Sequence, residues 1–232
     1  MKTIWVIQHT QAEYLGLIED HLEGRNLRFR YFRPFVAGGS LPEGTAADGL
    51  ILLGAGPYGV VSGHILPSLG PELRLAQAFL HAGKPVVGFG LGALILAVAG
   101  GGGAEEAPLR FEVAGAEITG LGPAAPQRMP LACYLRDRPV LGPGMAPVMT
   151  GSVGELLGFT VGENSLGLLG HPGMKRGMAE DLIMEFSETP EATVEALDAL
   201  GMAQREIAES LGPFMVALIA QTGWMSPSAT QR

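Results

Sequence analysis

Residues 85–97 read PVVGFGLGALILA, and their reading decides the fold. Three apolar positions lead into three glycines at alternate places, and an uninterrupted apolar run follows. The stretch from 85 to 103 carries no charge over a length close to the ~20 residues that a membrane-spanning helix needs. Glycine, however, costs ~1 kcal/mol against alanine inside a helix, and here it recurs at 88, 90, 92 and 100–103. A buried strand, a tight turn and a buried helix account for the pattern better than a membrane span does.

Working outward in both directions gives more units of the same kind. TIWVIQ (3–8) is a buried strand and residues 14–22 have helical spacing; strands follow at 29–32 and 47–53, then a helix at 72–82, the strand 84–88 and the helix 93–99. Strands alternating with helices predict an α/β protein, doubly wound, with a mostly parallel sheet and helices on both faces. Beyond Gly100 the pattern changes. FEVAGAEIT (111–119) alternates, residues 120–151 are dense in Gly and Pro, and strands recur at 156–160 and 165–169. An antiparallel excursion around 108–160 is expected there. Helices return after Met174, with a start expected at Thr189-Pro190-Glu191 and a separate last helix at 204–221. Residues 1–188 are read as one domain, 189–223 as C-terminal helices packed on it, and 224–232 as a frayed tail.

The chain has 232 residues, 47% of them hydrophobic and 16% charged, with a formal net charge of −8. That composition predicts a folded chain and argues against a nucleic-acid partner, which requires clustered cations. Only RNLRFRYFR (25–33) is locally basic, and it reads as a helix end leading into an edge strand. The N-terminal apolar run is too short for a signal-peptide core. No membrane association is expected, and a cytoplasmic location fits the single cysteine, Cys133. None of His9, His21, His64 and His81 has metal-ligand spacing, so neither a metal nor a cofactor is expected.

Two stretches match the dinucleotide fingerprint G-x-G-x-x-G/A: Gly54, Gly56 and Gly59, and Gly88, Gly90 and Ala93. Neither lies after the first strand, where that fingerprint belongs, and Pro57 interrupts the first. The alternative is a nucleophile elbow, a strained strand-to-helix turn that needs small neighbours. Its tip is Gly90.

With these residues in view, the sequence resembles the class I glutamine amidotransferases, and within them the stand-alone subgroup similar to GMP synthase. Members carry a K-P-[VI] strand, a G-[IVF]-C-[LF]-G-x-Q elbow, an earlier L-G-G-P turn and a late H-P-E. This chain has KPVVGFGLGAL (84–94), LGAGP (53–57) and His171-Pro172-Gly173. The resemblance implies a flavodoxin-like fold and a site in which Gly90 stands for the attacking cysteine and Gly173 for the glutamate of the triad. His171 keeps the catalytic base position. The turn Gly54-Ala55-Gly56, with Tyr58, Leu91 and Leu94, is expected to line a remnant ligand pocket, and Leu94 replaces the usual glutamine.

Glycine offers no thiolate, so thioester chemistry is lost. An imidazole without its orienting acid also lacks a fixed tautomer and support for its charged form. The expectation is a protein without glutaminase activity that acts as a binding, regulatory or partner subunit, with a protein partner, a homo-oligomer or a small molecule as its counterpart. Two alternatives stand beside it. One is an amidotransferase or hydrolase with a relocated nucleophile, for which Cys133, Ser152 and Ser165 are the candidates. The other is a nucleotide-binding module at the glycine turns.

Overall fold

A computed structural model describes residues 1–225. The parallel strands are β1 (Thr3–Ile7), β2 (Arg28–Phe32) and β3 (Gly49–Leu52), and they are joined later by β6 (Val86–Phe89) and β13 (Ser165–Leu168). Between β3 and β6 lies a short ribbon, β4 (Tyr58–Gly59) with β5 (His64–Ile65). β3 and β6 are buried at every residue, as expected of strands covered on both faces.

The second half comprises β7 (Gly103–Glu105), β8 (Arg110–Ile118), β9 (Arg128–Leu135), β10 (Arg138–Val140), β11 (Met145–Thr150) and β12 (Leu156–Val161). β7 and β10 form a ribbon of their own. The main sheet has nine strands in the order β2-β1-β3-β6-β13-β12-β11-β8-β9. Its pairs are parallel as far as β13 and antiparallel beyond it, so only β8 and β12 run against the other strands. The antiparallel part curls back on itself. The chain leaving β13 pairs with β9 through an Ala132–His171 bridge, in which the His171 amide donates to the Ala132 carbonyl across 2.8 Å.

Five helices complete the fold: α1 (Ile18–Glu23), α2 (Leu69–His81), α3 (Leu91–Ala99), α4 (Arg176–Glu185) and α5 (Thr193–Thr222). α2 packs on α3, while α1 and α4 pack on α5, so both faces of the sheet are covered. One core surrounds the central strands. A second lies beneath α4 and α5, where Met174, Met178 and Leu182 meet Phe111, Tyr134, Leu200 and Ile207.

The sequence reading needs three corrections. The first helix begins at Ile18 rather than Tyr14, because Gly16 has φ +61° and the preceding residues form turns. The two C-terminal helices are one helix of 30 residues; Thr189 and Pro190 precede it, and Gly201 and Pro213 lie within it. Tertiary packing of Leu200, Ile207, Leu211, Phe214 and Leu218 outweighs the local breakers. Finally, Trp224 does not belong to a frayed end: it is 1% exposed and packs over Gly49, whose missing side chain makes room for the indole. Residues 226–232 of the expected tail lie outside the described residues.

Candidate functional site

The carboxyl ends of β1, β3, β6 and β13 lie side by side at one end of the sheet, the usual ligand position in an open α/β sheet. Gly90 stands between β6 and α3 with φ +52° and ψ −118°, a conformation that strains any residue with a side chain. This is the sharp strand-to-helix turn expected of an elbow. Beyond its chain neighbours, a Cβ on Gly90 would find only the Gly54 Cα at 3.4 Å and the Tyr134 carbonyl oxygen at 3.7 Å within 4 Å. The tip therefore has room for a Cβ and carries none. Gly88 is different, because a Cβ there would overlap the Gly92 carbonyl.

His171 comes to the same region and packs its ring 5.3 Å from that of Phe89, the residue before the tip. Both ring nitrogens are committed. The Gly173 amide donates to Nδ1 across 3.1 Å, which makes Nδ1 an acceptor and places the proton on Nε2. Nε2 then donates to the Tyr14 carbonyl across 2.8 Å. Burial holds the imidazole neutral and pushes its pKa down to about 4. Gly173 lies against α1, where a Cβ would stand 3.1 Å from Ile18 Cγ1.

The turn Gly54-Ala55-Gly56 leaves β3 beside the elbow and engages a group that the sequence reading passed over. The Gly54 amide donates to Glu13 Oε1 across 3.1 Å, and the Gly54 carbonyl accepts from His9 Nδ1 at 3.0 Å. With Nδ1 carrying a proton, the 2.7 Å contact between His9 Nε2 and Glu72 Oε2 holds a second proton between ring and carboxyl. His9, Glu13 and Glu72 are all buried. Burial opposes charge on His9, but Glu72, the Gly54 carbonyl and Glu13 together raise its pKa. Burial is also the main cause of the shift on Glu13, whose pKa rises to about 7 despite His9 and the Gly54 and Gly56 amides. Glu13 Oε2 and Glu72 Oε1 have no hydrogen-bond partner among the described residues. The available signal was a run of polar residues, QHTQAE, directly after a buried strand, where burial forces them to satisfy one another.

This end of the sheet is covered by the end of α4 and the segment that follows it. Glu185 accepts from the Gln11 and Ala12 amides at 3.2 and 3.3 Å. Phe186 lies over Gly56 and meets the Tyr58 ring edge-on at 5.7 Å, and Glu188 pairs with Arg136. Tyr58 thus fills space beside the glycine turn. Leu91 and Leu94 are buried in α3. The Tyr134 hydroxyl is buried without a partner among the described residues, and burial pushes its pKa up to about 12.

The other candidates lie elsewhere. Cys133 is fully buried in β9, its Sγ 3.6 Å from the Leu131 carbonyl, and burial pushes its pKa up to about 12. Ser165 is buried and accepts from the Val86 amide at 3.0 Å, whereas Ser152 is exposed. At the start of α3 the Gly92 amide is spent on the Leu53 carbonyl, and the Ala93 and Leu94 amides on Gly90. The glycine turn at 54–59 runs into the β4–β5 ribbon rather than a helix. Among the described residues no His, Cys, Asp or Glu group is arranged to hold a metal ion, and no helix is long and apolar enough to cross a membrane.

No protein-family model and no curated protein matches the chain. Solved structures do. A glutamine amidotransferase from Thermotoga maritima is 20% identical, with a TM-score of 0.74 over 95% of this chain and 98% of that one. A glutamine amidotransferase from Methylobacillus flagellatus is likewise 20% identical, with a TM-score of 0.78 over 96% of each chain. A putative GMP synthase subunit from Thermoplasma acidophilum is 15% identical, with a TM-score of 0.55 over 89% of this chain and 98% of that one.

Proposed function

Starting from the fold of the solved glutamine amidotransferases, we propose that this chain is an amidotransferase-like protein without glutaminase activity, acting as a binding or partner subunit. The observation that carries the reading is Gly90. The residue at the tip of the elbow presents no atom able to attack a carbonyl carbon. Two further observations support it. His171, the expected base, gives both ring nitrogens to backbone groups and stays neutral without a carboxylate beside it. The candidate substitutes Cys133 and Ser165 are enclosed in strands and engaged there.

A partner role accords with the likeness to the Thermoplasma acidophilum protein, itself named as one subunit of a synthase. A reducing, cytoplasmic setting accords with one buried free thiol. The test is ammonia release from glutamine by the purified chain beside its Gly90→Cys variant. No turnover by the unmodified chain is the expected result, and measurable glutamine hydrolysis overturns the reading. Activity in the variant alone would locate the loss at the elbow tip.

A further inference from the structure

The one locally basic run of this acidic chain coincides with the outermost strand of the sheet. β2 pairs with β1 alone. The Arg28 amide donates to Lys2 and the Phe32 carbonyl accepts from Gln8, so residues 28, 30 and 32 turn their backbone groups inward. Phe29 and Tyr31 therefore turn theirs outward. Among the described residues neither finds a partner for those outward groups. The opposite edge of the sheet, β9, is instead met by the bridge at His171.

Arg28, Arg30 and Arg33 are exposed, and among the described residues no ion pair engages them or Arg25. Stacking holds two of these guanidinium groups at the edge: Arg30 lies 4.8 Å above the Phe32 ring and Arg33 5.1 Å from that of Tyr31. A mixed cleft of about 470 Å³ opens at the start of the strand, lined by Met1, Leu27 and Phe29 together with Glu23, Asn26 and Arg28. Of the acids near the strand, Glu19 is occupied by the Tyr31 hydroxyl at 2.5 Å, and Glu23 lines the cleft.

Charged side chains commonly protect an open edge from unwanted pairing. Here the charges carried by the strand itself all have one sign, which repels a second copy of this strand but favours an acidic one. We propose that β2 is a docking edge for an extended acidic segment of a partner protein, which adds to the sheet as a further strand. Backbone groups of Phe29 and Tyr31 supply the pairing, and Arg28 and Arg30 select the sign of the incoming side chains.

The experiment titrates the full chain with a capped heptapeptide of alternating Glu and Val, a Lys-Val counterpart, and a Glu-Val peptide N-methylated at alternate residues. The plain Glu-Val peptide is expected to bind, the other two to bind at least about tenfold more weakly, and Arg28→Glu with Arg30→Glu to weaken binding by about tenfold or more. Hydrogen exchange at the Phe29 and Tyr31 amides is expected to slow on binding. Absence of binding, equal binding of the Lys-Val or N-methylated peptide, or binding without protection of those two amides overturns the proposal. Sedimentation of the free chain as a dimer with the same amides protected overturns it as well, because a second copy would then own the edge.

Discussion

The Gly54 amide and the Glu13 carboxyl meet across 3.1 Å in the interior, beside the elbow, and burial raises the Glu13 pKa from 4.5 to about 7. Because the folded state holds this proton more tightly than the unfolded chain, the associated stability is fully present below pH ~4.5 and is lost as pH rises through ~7. His9, also raised, contributes in the same direction above its ordinary value of 6.5. Relative to wild type, Glu13→Gln should therefore gain on the order of 3 kcal/mol between pH 4.5 and 8. Urea unfolding at the two pH values checks this, and parallel pH profiles for the two proteins would contradict it.

His171 acts with the opposite sign. Its pKa is depressed from 6.5 to about 4, so the unfolded chain takes up a proton that the folded chain refuses, and stability falls as pH drops from ~6.5 toward ~4. His171→Gln should remove this acid-side loss. His171→Ala should cost about 2–4 kcal/mol even at pH 7.5, because the Tyr14 carbonyl and the Gly173 amide lose their partner in a buried place. Chemical denaturation of both variants at pH 5 and 7.5 separates the two effects.

Two glycines in the same turn should respond differently to one methyl group. Gly90→Ala places its Cβ in ordinary contact with the Gly54 Cα and the Tyr134 carbonyl and has mainly backbone strain to oppose it, which is worth about 1–3 kcal/mol. Gly88→Ala drives Cβ into the backbone at Gly92 and should cost more than about 4 kcal/mol or prevent folding. Denaturation midpoints and soluble yields of the pair provide the check.

Trp224 buries its ring over Gly49, yet its Nε1 has no partner among the described residues. Trp224→Phe should change stability by less than about 1.5 kcal/mol, since it removes the orphan donor along with some contact area. Trp224→Ala should cost about 3–5 kcal/mol. A thermal melt of each variant distinguishes the two, and an equal loss from both would contradict the packing of the ring over Gly49 as the source of stability.

The strand-turn-helix unit around Gly90 was legible in the sequence because buried strands and tight turns leave local signals: an apolar run, then glycine where backbones touch. The C-terminal helix was not. Thr189-Pro190-Glu191 has the chemistry of a helix start, but the helix begins at Thr193 and runs through Gly201 and Pro213, held by side chains remote in sequence. The His9–Glu13–Glu72 group escaped for the same reason, since Glu72 stands 63 residues from His9 and only the packing of α2 against the end of β1 joins them.

The sequence by itself determined the alternation of strands and helices, the position and emptiness of the elbow, and the acidic surface with its single basic strand, because each is a local property of neighbouring residues. Tertiary structure alone decided which histidine is bound to backbone and which is paired with a carboxyl group. It also decided that a residue next to β13 closes the curl at β9. The physical reason is that burial and hydrogen bonding are set by groups that meet in space, and desolvation in a shared interior fixes the proton on each ring whatever the spacing along the chain.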